Sequence, residues 1–165
     1  MDAIPGKLSH FLKFTLRIFL VSTVLITFLQ VIMRYVFNSP LSWAEETVGV
    51  IMIYFGLIGG SLGICYHLHI SLEFFLKKFF RKQEKFIKYG EIFLYIGFGI
   101  IEMVYGIQLM KLTKFQVIPA TGLPVPYTYL ALPIAGVVMI IFAGELLIRL
   151  RRGDNYEFGD NYTIR

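Results

Sequence analysis

The chain has 165 residues, of which 56% are hydrophobic and 16% are charged, with a formal net charge of +5. Soluble domains usually carry about a quarter charged residues, so this composition is typical of a membrane protein. It excludes a disordered tail and a nucleic-acid-binding module, and the single cysteine excludes a disulfide-stabilised scaffold.

Four hydrophobic segments are long enough to cross a bilayer as helices. They cover about residues 15–35, 47–66, 92–110 and 127–148. A helix of roughly 20 residues spans the hydrocarbon core of the bilayer. The first segment has a long apolar part and no A-x-A-like cleavage site, so we interpret it as a retained span rather than a signal peptide. The sequence therefore predicts an all-α four-helix membrane domain over residues 1–150 and a polar cytoplasmic tail over residues 151–165.

Lysine and arginine residues concentrate on one side of these spans. The N-terminal segment, the loop between the second and third spans and the tail hold most of them, whereas Arg34, Lys111 and Lys114 fall on the other side. Cytoplasmic loops of membrane proteins carry an excess of such residues. We therefore predict that both termini and the central loop are cytoplasmic and that the two shorter loops face outward. The net positive charge is then a consequence of topology and requires no acidic substrate.

The loop between the second and third spans has a helical hydrophobic pattern over residues 71–82, with apolar side chains on one face and basic side chains opposite. Such a helix lies in the headgroup plane of the membrane. A cytoplasmic extension of the second span is the alternative interpretation. The predicted membrane-surface helix contains Leu72, Phe75, Leu76, Lys78, Phe79, Arg81 and Lys82.

The second span contains two pairs of glycines at a spacing of four residues, Gly56 with Gly60 and Gly59 with Gly63. Small residues at this spacing allow helix backbones to approach each other closely. Two interpretations stay open at this point, namely packing within this chain and docking onto another membrane protein.

A single carboxylate, Glu102, lies near the middle of the third span. An ionised carboxylate at that depth costs at least about 2.5–3.5 kcal/mol, so we expect it to be protonated, paired or facing protein. Gly99, Glu102 and Gly106 share one helical face with Tyr95, which forms a narrow polar seam suited to a protein contact. Because no second relay group accompanies Glu102, a hydrogen-bonded structural role is favoured over proton conduction.

The chain carries no motif of an enzyme or of a metal site: it has no P-loop, no G-x-S-x-G sequence and no Cys/His metal box. His10, His67 and His69 fall near the cytoplasmic boundary, where they are poorly placed to face each other across a haem inside a bundle. We therefore expect no catalytic residue, no metal and no cofactor. A haem-binding membrane anchor of a redox complex and an autonomous small transporter or channel are the alternative hypotheses.

The segment that joins the first two spans has a distinctive order of residues. Arg34, near the end of the first span, is at the same depth as the carboxylates that open the second span, and an Asn-Ser-Pro sequence supplies the turn between them. The distinctive residues are Gln30, Arg34, Tyr35, Asn38, Pro40, Trp43, Glu45 and Glu46.

Two further segments, residues 69–73 and residues 119–133 with Leu123 and Pro124, complete the pattern. Together the three segments resemble the small membrane subunit of tripartite ATP-independent periplasmic (TRAP) transporters, a DctQ-like family, over roughly residues 15–150. Glu73 stands where this family commonly has aspartate, and Thr121 stands where an apolar residue is usual.

The resemblance implies a subunit of a secondary transport system in the bacterial inner membrane. A periplasmic binding protein captures an organic acid, of the dicarboxylate or sialic-acid type, and a large multi-span subunit moves it inward with an ion gradient, typically sodium. The small subunit would scaffold the large one. The glycines of the second span and the face around Glu102 would contact the large subunit, while the two outer loops would lie where the binding protein docks.

Overall fold

The computed structural model describes residues 3–65 and 84–152, which form long helices joined by two short loops. The helices are α1 (Ala3–Tyr35), α2 (Ser42–Cys65), α3 (Glu84–Leu112), the short α4 (Pro126–Tyr129) and α5 (Ala131–Arg152). The predicted membrane-surface helix over residues 71–82 and nearly all of the tail lie outside the described residues.

Four helical segments in the described part of the chain are long and apolar enough to cross a membrane. They are Gly6–Tyr35, Ser42–Ile64, Lys88–Leu112 and Pro126–Arg151. Each coincides with one of the segments expected from hydrophobicity, and the expectation of an all-α protein with four apolar helices of spanning length is confirmed. At 1.5 Å per residue, the 33 residues of α1 extend for about 50 Å, which exceeds the hydrocarbon core.

The turn after α1 depends on Asn38, whose backbone lies in the left-handed region with a φ of 47°. Asparagine tolerates this conformation better than most residues and often ends helices. The amide of Ser39 donates to the carbonyl of Met33 at 3.0 Å, which satisfies one free carbonyl at the end of α1. Pro40 follows and cannot continue the helix. The predicted turn is therefore present.

The long helices lie in a row rather than in a square bundle. Helix α1 packs against α2, α2 packs against α5, and α5 packs against α3. Within the described residues, α3 otherwise contacts α4 and makes no extensive contact with α1 or α2. The order across the row is thus α1, α2, α5, α3, so that both broad sides of the row carry exposed apolar side chains.

A small hydrophobic core joins three of these helices. It contains Leu12, Ile58, Leu62, Val138 and Phe142. The core lies toward the N-terminal end of α1, the C-terminal end of α2 and the middle of α5, where α1 approaches both other helices. Burial of these side chains stabilises the packing of α1, α2 and α5 against one another.

Glycine allows α3 and α5 to approach each other closely. A Cβ atom on Gly136 would lie 2.5 Å from the carbonyl oxygen of Gly99, and a Cβ atom on Gly106 would lie 2.6 Å from the Cδ atom of Pro133. Any larger residue at these positions would force the two backbones apart. The contact between α3 and α5 therefore requires glycine on both helices.

Two side-chain hydrogen bonds cross from α2 to the last span. Ser61, which is fully buried, donates to backbone carbonyls of both Leu57 and Ala135, at 2.9 and 3.0 Å. Nearer the other end of α2, the hydroxyl of Tyr54 donates to the carbonyl oxygen of Tyr127 at 2.5 Å. These two side chains of α2 are thus hydrogen-bonded to the chain's own backbone, as expected for polar groups between packed helices.

Candidate functional site

Two loops, residues 36–41 and residues 113–125, connect the long helices at the same ends of these helices. We call this side of the molecule the loop end. Helix α2 begins there, and its Glu45 points toward α1. The Oε1 atom of Glu45 accepts a hydrogen bond from Nε2 of Gln30 at 2.6 Å and lies 4.0 Å from Nη1 of Arg34. The expected grouping of Arg34 with a carboxylate at the start of the second span is therefore present. Because both charged side chains are largely exposed, this ion pair contributes little stability by itself.

The side chain of the next residue, Glu46, points in a different direction, toward the second loop. Its oxygens accept hydrogen bonds from the backbone amide of Ala120, at 3.0 and 2.9 Å, and from the backbone amide of Thr121, at 2.8 Å. Adjacent glutamates at the start of α2 thus join this helix to α1 on one side and to the loop between α3 and α4 on the other. No pattern in the sequence predicted the contact of Glu46 with the loop.

The second loop has a defined backbone of its own. The amide of Ile118 donates to the carbonyl of Leu123 at 2.8 Å, and the amide of Val125 donates to the carbonyl of Gln116 at 3.0 Å. Gly122, with a φ of +67°, lies between Ile118 and Leu123 and allows the chain to reverse its direction there. The loop is therefore a short hairpin-like turn.

The second loop presents apolar side chains to its surroundings. Leu123, expected in the sequence analysis to contribute to a docking surface, is 45% exposed, and Phe115 is 93% exposed. Pro124, the other loop residue singled out from the sequence, forms an isolated antiparallel β-bridge with Val117. The side chain of Val117 is exposed, like those of Leu123 and Phe115. Tyr35 and Trp43, which flank the first loop and were expected to belong to the same docking surface, are exposed as well. The loop end therefore carries an apolar surface supported by polar contacts.

The glycines of α2 do not all lie on one surface. Gly56 and Gly60 are exposed and have no atom within 4 Å of the position that a Cβ would occupy. Gly59 is half-buried and similarly open, whereas Gly63 is buried within the chain. The open side of α2, which we call the α2 face, consists of Gly49, Met52, Ile53, Gly56 and Gly60.

The face of α3 around Glu102 has a partner within the chain. Gly99 and Gly106 pack against α5, and Glu102 is only 9% exposed. Because α5 occupies this space, a large subunit has no room beside Gly99 and Gly106 in this arrangement. Within the described residues, Oε2 of Glu102 is buried and has no hydrogen-bond partner.

The candidate haem ligands do not form a site in the part of the chain that can be described. His10 is exposed on α1, and His67 and His69 lie outside the described residues. Among the side chains of residues 6–64 and 88–151, no three of His, Cys, Asp or Glu could together hold a metal ion.

A family model described as "Tripartite ATP-independent periplasmic transporters, DctQ component" matches residues 23–153, which include the distinctive residues between Gln30 and Glu46, the α2 face and the second loop. The chain belongs to this DctQ family. The resemblance to the DctQ-like family, which the distinctive residues of the sequence indicated, is therefore confirmed. The family is a transporter component, which agrees with the expectation that the chain is not an enzyme. Together with the four apolar helices, it identifies a multi-pass membrane protein.

Several curated proteins are similar to this DctQ chain. The sialic acid TRAP transporter permease protein SiaT of Haemophilus influenzae is 27% identical over 135 residues, or 77% of this chain and 21% of that protein. A putative TRAP transporter small permease protein of Haemophilus influenzae is 29% identical, over 81% of this chain and 85% of that protein. The sialic acid TRAP transporter small permease protein SiaQ of Vibrio cholerae is 26% identical, over 74% of this chain and 71% of that protein. The chain thus spans about a fifth of SiaT and most of each small permease.

Proposed function

We propose that the chain is the small membrane subunit of a TRAP transporter and that it scaffolds a separate large membrane subunit, which carries the solute. The observation that carries this proposal is the α2 face, an apolar and glycine-containing surface that the described residues leave uncovered. Membership in the DctQ family supplies the class of partner.

The arrangement of the helices supports a role without solute conduction. A row in the order α1, α2, α5, α3 encloses no central volume, whereas transporters bind solute between helices near the middle of the membrane. The hydroxyls of Ser61 and Tyr54 are bonded to backbone carbonyls of the chain and offer no free site. The row of helices and these two bonds therefore favour a role in which this chain conducts no solute by itself.

The α2 face is suited to contact with another helix. Gly56 and Gly60 are one turn apart, so a neighbouring backbone can approach closely between Met52 and the end of the helix. In lipid, where there is no hydrophobic driving force between helices, such close packing is a main source of association. We assign this face, rather than the face of α3, to the large subunit.

The remaining parts of the proposal follow from the family and from the charge distribution. The loop end faces the periplasm and both termini face the cytoplasm of a bacterium, because most lysine and arginine residues lie at the other end. A periplasmic binding protein delivers an organic acid, of the sialic-acid or dicarboxylate type, and an ion gradient, typically sodium, drives uptake. The exposed apolar side chains of the loop end take part in docking that binding protein.

Co-purification with the large subunit tests the interface. The variant Gly56→Leu with Gly60→Leu places two bulky side chains on the α2 face and should reduce recovery of the large subunit. The matched control is Gly97→Leu with Gly144→Leu, since both of these glycines also have open space beside them but lie on other helices. Unchanged recovery with the α2 variant, or equal loss with the control, would contradict the assignment.

A further inference from the structure

The contact of Glu46 with the second loop joins parts of the chain that are 74 and 75 residues apart. Both oxygens of the carboxylate are engaged, and the donors are two successive backbone amides, those of Ala120 and Thr121. Hydrogen bonds from backbone amides to a charged carboxylate are stronger than those between neutral groups. This contact is therefore a specific attachment of the loop to the start of α2.

The loop cannot replace this attachment with its own hydrogen bonds. Its internal hydrogen bonds use the amides of Gln116, Ile118, Gly122, Leu123 and Val125. The amides of Ala120 and Thr121 instead donate to the carboxylate of Glu46. Successive amides in a turn form a concave site for an anion, and here the anion belongs to the same chain. Without Glu46, the turn loses its hydrogen bonds to the start of α2.

We infer that Glu46 is a positioning residue, whose carboxylate fixes the turn at residues 118–123 so that Leu123 and the adjacent apolar side chains form a rigid docking surface for the binding protein. This inference rests on the proposed function, which places the binding protein at the loop end. Glu45 has a different role, because its carboxylate contacts Gln30 and leaves the loop untouched. Substitution of Glu45 is therefore the matched control for substitution of Glu46.

Amide hydrogen exchange of the full chain in nanodiscs tests the attachment itself. Glu46→Gln should raise exchange at the amides of Ala120 and Thr121 by about tenfold or more, because a neutral amide oxygen replaces a charged bidentate acceptor. Glu45→Gln should leave these two amides unchanged. Equal exchange in both variants would overturn the inference. If Glu46→Gln does not insert into the membrane, Glu46→Asp, which keeps the charge but withdraws it by one methylene group, provides the same comparison.

Uptake by the assembled transporter tests the docking role. With Glu46→Gln, half-maximal uptake should require several-fold more binding protein, while the maximal rate stays close to that of the unaltered transporter. Faster amide exchange without any change in this concentration would overturn the positioning role in docking but leave the scaffold proposal intact. Full uptake by the large subunit in the absence of this chain would instead overturn the proposed function, and the exchange measurement would still decide whether Glu46 holds the loop.

Discussion

Replacing Gly136 with alanine is expected to weaken the contact between α3 and α5. The new Cβ atom would lie 2.5 Å from the carbonyl oxygen of Gly99 and 3.1 Å from the amide nitrogen of Met103, and both of these are backbone atoms. No flexible side chain can move away, so the helices must separate. Overpacking of this kind typically costs about 1–3 kcal/mol.

The effect of the clash can be separated from the intrinsic preference of alanine for helices. Gly144 lies on the same helix and has nothing within 4 Å of its Cβ position, so Gly144→Ala gains helix propensity without a clash. The difference between the two variants should therefore correspond to a change of roughly 5- to 150-fold in the unfolding equilibrium.

Unfolding of the purified variants in mixed detergent micelles, followed by circular dichroism during a titration with SDS, measures this difference. Gly136→Ala should unfold at a lower SDS fraction than the unaltered chain, and Gly144→Ala should unfold at the same or a higher fraction. Equal midpoints for the two alanine variants would refute the close backbone contact between α3 and α5.

The hydrogen bonds between α2 and the last span give two smaller effects in the same titration. Tyr54→Phe removes the donor to the carbonyl of Tyr127 and should cost about 0.6 kcal/mol and at most about 1.7 kcal/mol, the average and the maximum for interhelical hydrogen bonds in a membrane protein. Ser61→Ala should cost about 0.6 kcal/mol, since the interhelical bond from the serine hydroxyl to the carbonyl of Ala135 is lost. A variant that is as stable as the unaltered chain would show that the corresponding bond does not support the row of helices.

Hydrophobic length, charge placement and turn chemistry made much of the structure predictable. The four spans follow from apolar length, and the turn at Asn38 follows from the residues that tolerate a left-handed backbone. The proximity of Arg34 to Glu45 follows from depth, because two helices joined by a short turn bring residues of equal depth together. These features depend on local sequence and on the geometry of a single connection.

Features that depend on which helices are neighbours could not be predicted in the same way. The glycine spacing in α2 and α3 indicated close approach but not its partner, so Gly99 and Gly106 were expected to contact another subunit, although α5 lies beside them. The contact of Glu46 left no signal, because its donors are backbone amides distant in the chain, which any residue except proline provides.

Uptake into proteoliposomes tests most directly the central claim, that this chain supports a separate carrier and conducts no solute itself. Vesicles with an inward ion gradient and the binding protein would contain this chain, the large subunit, or both, and accumulation of a labelled organic acid would be measured. We predict accumulation only when both membrane subunits are present. Accumulation in vesicles that contain this chain without the large subunit would contradict the account.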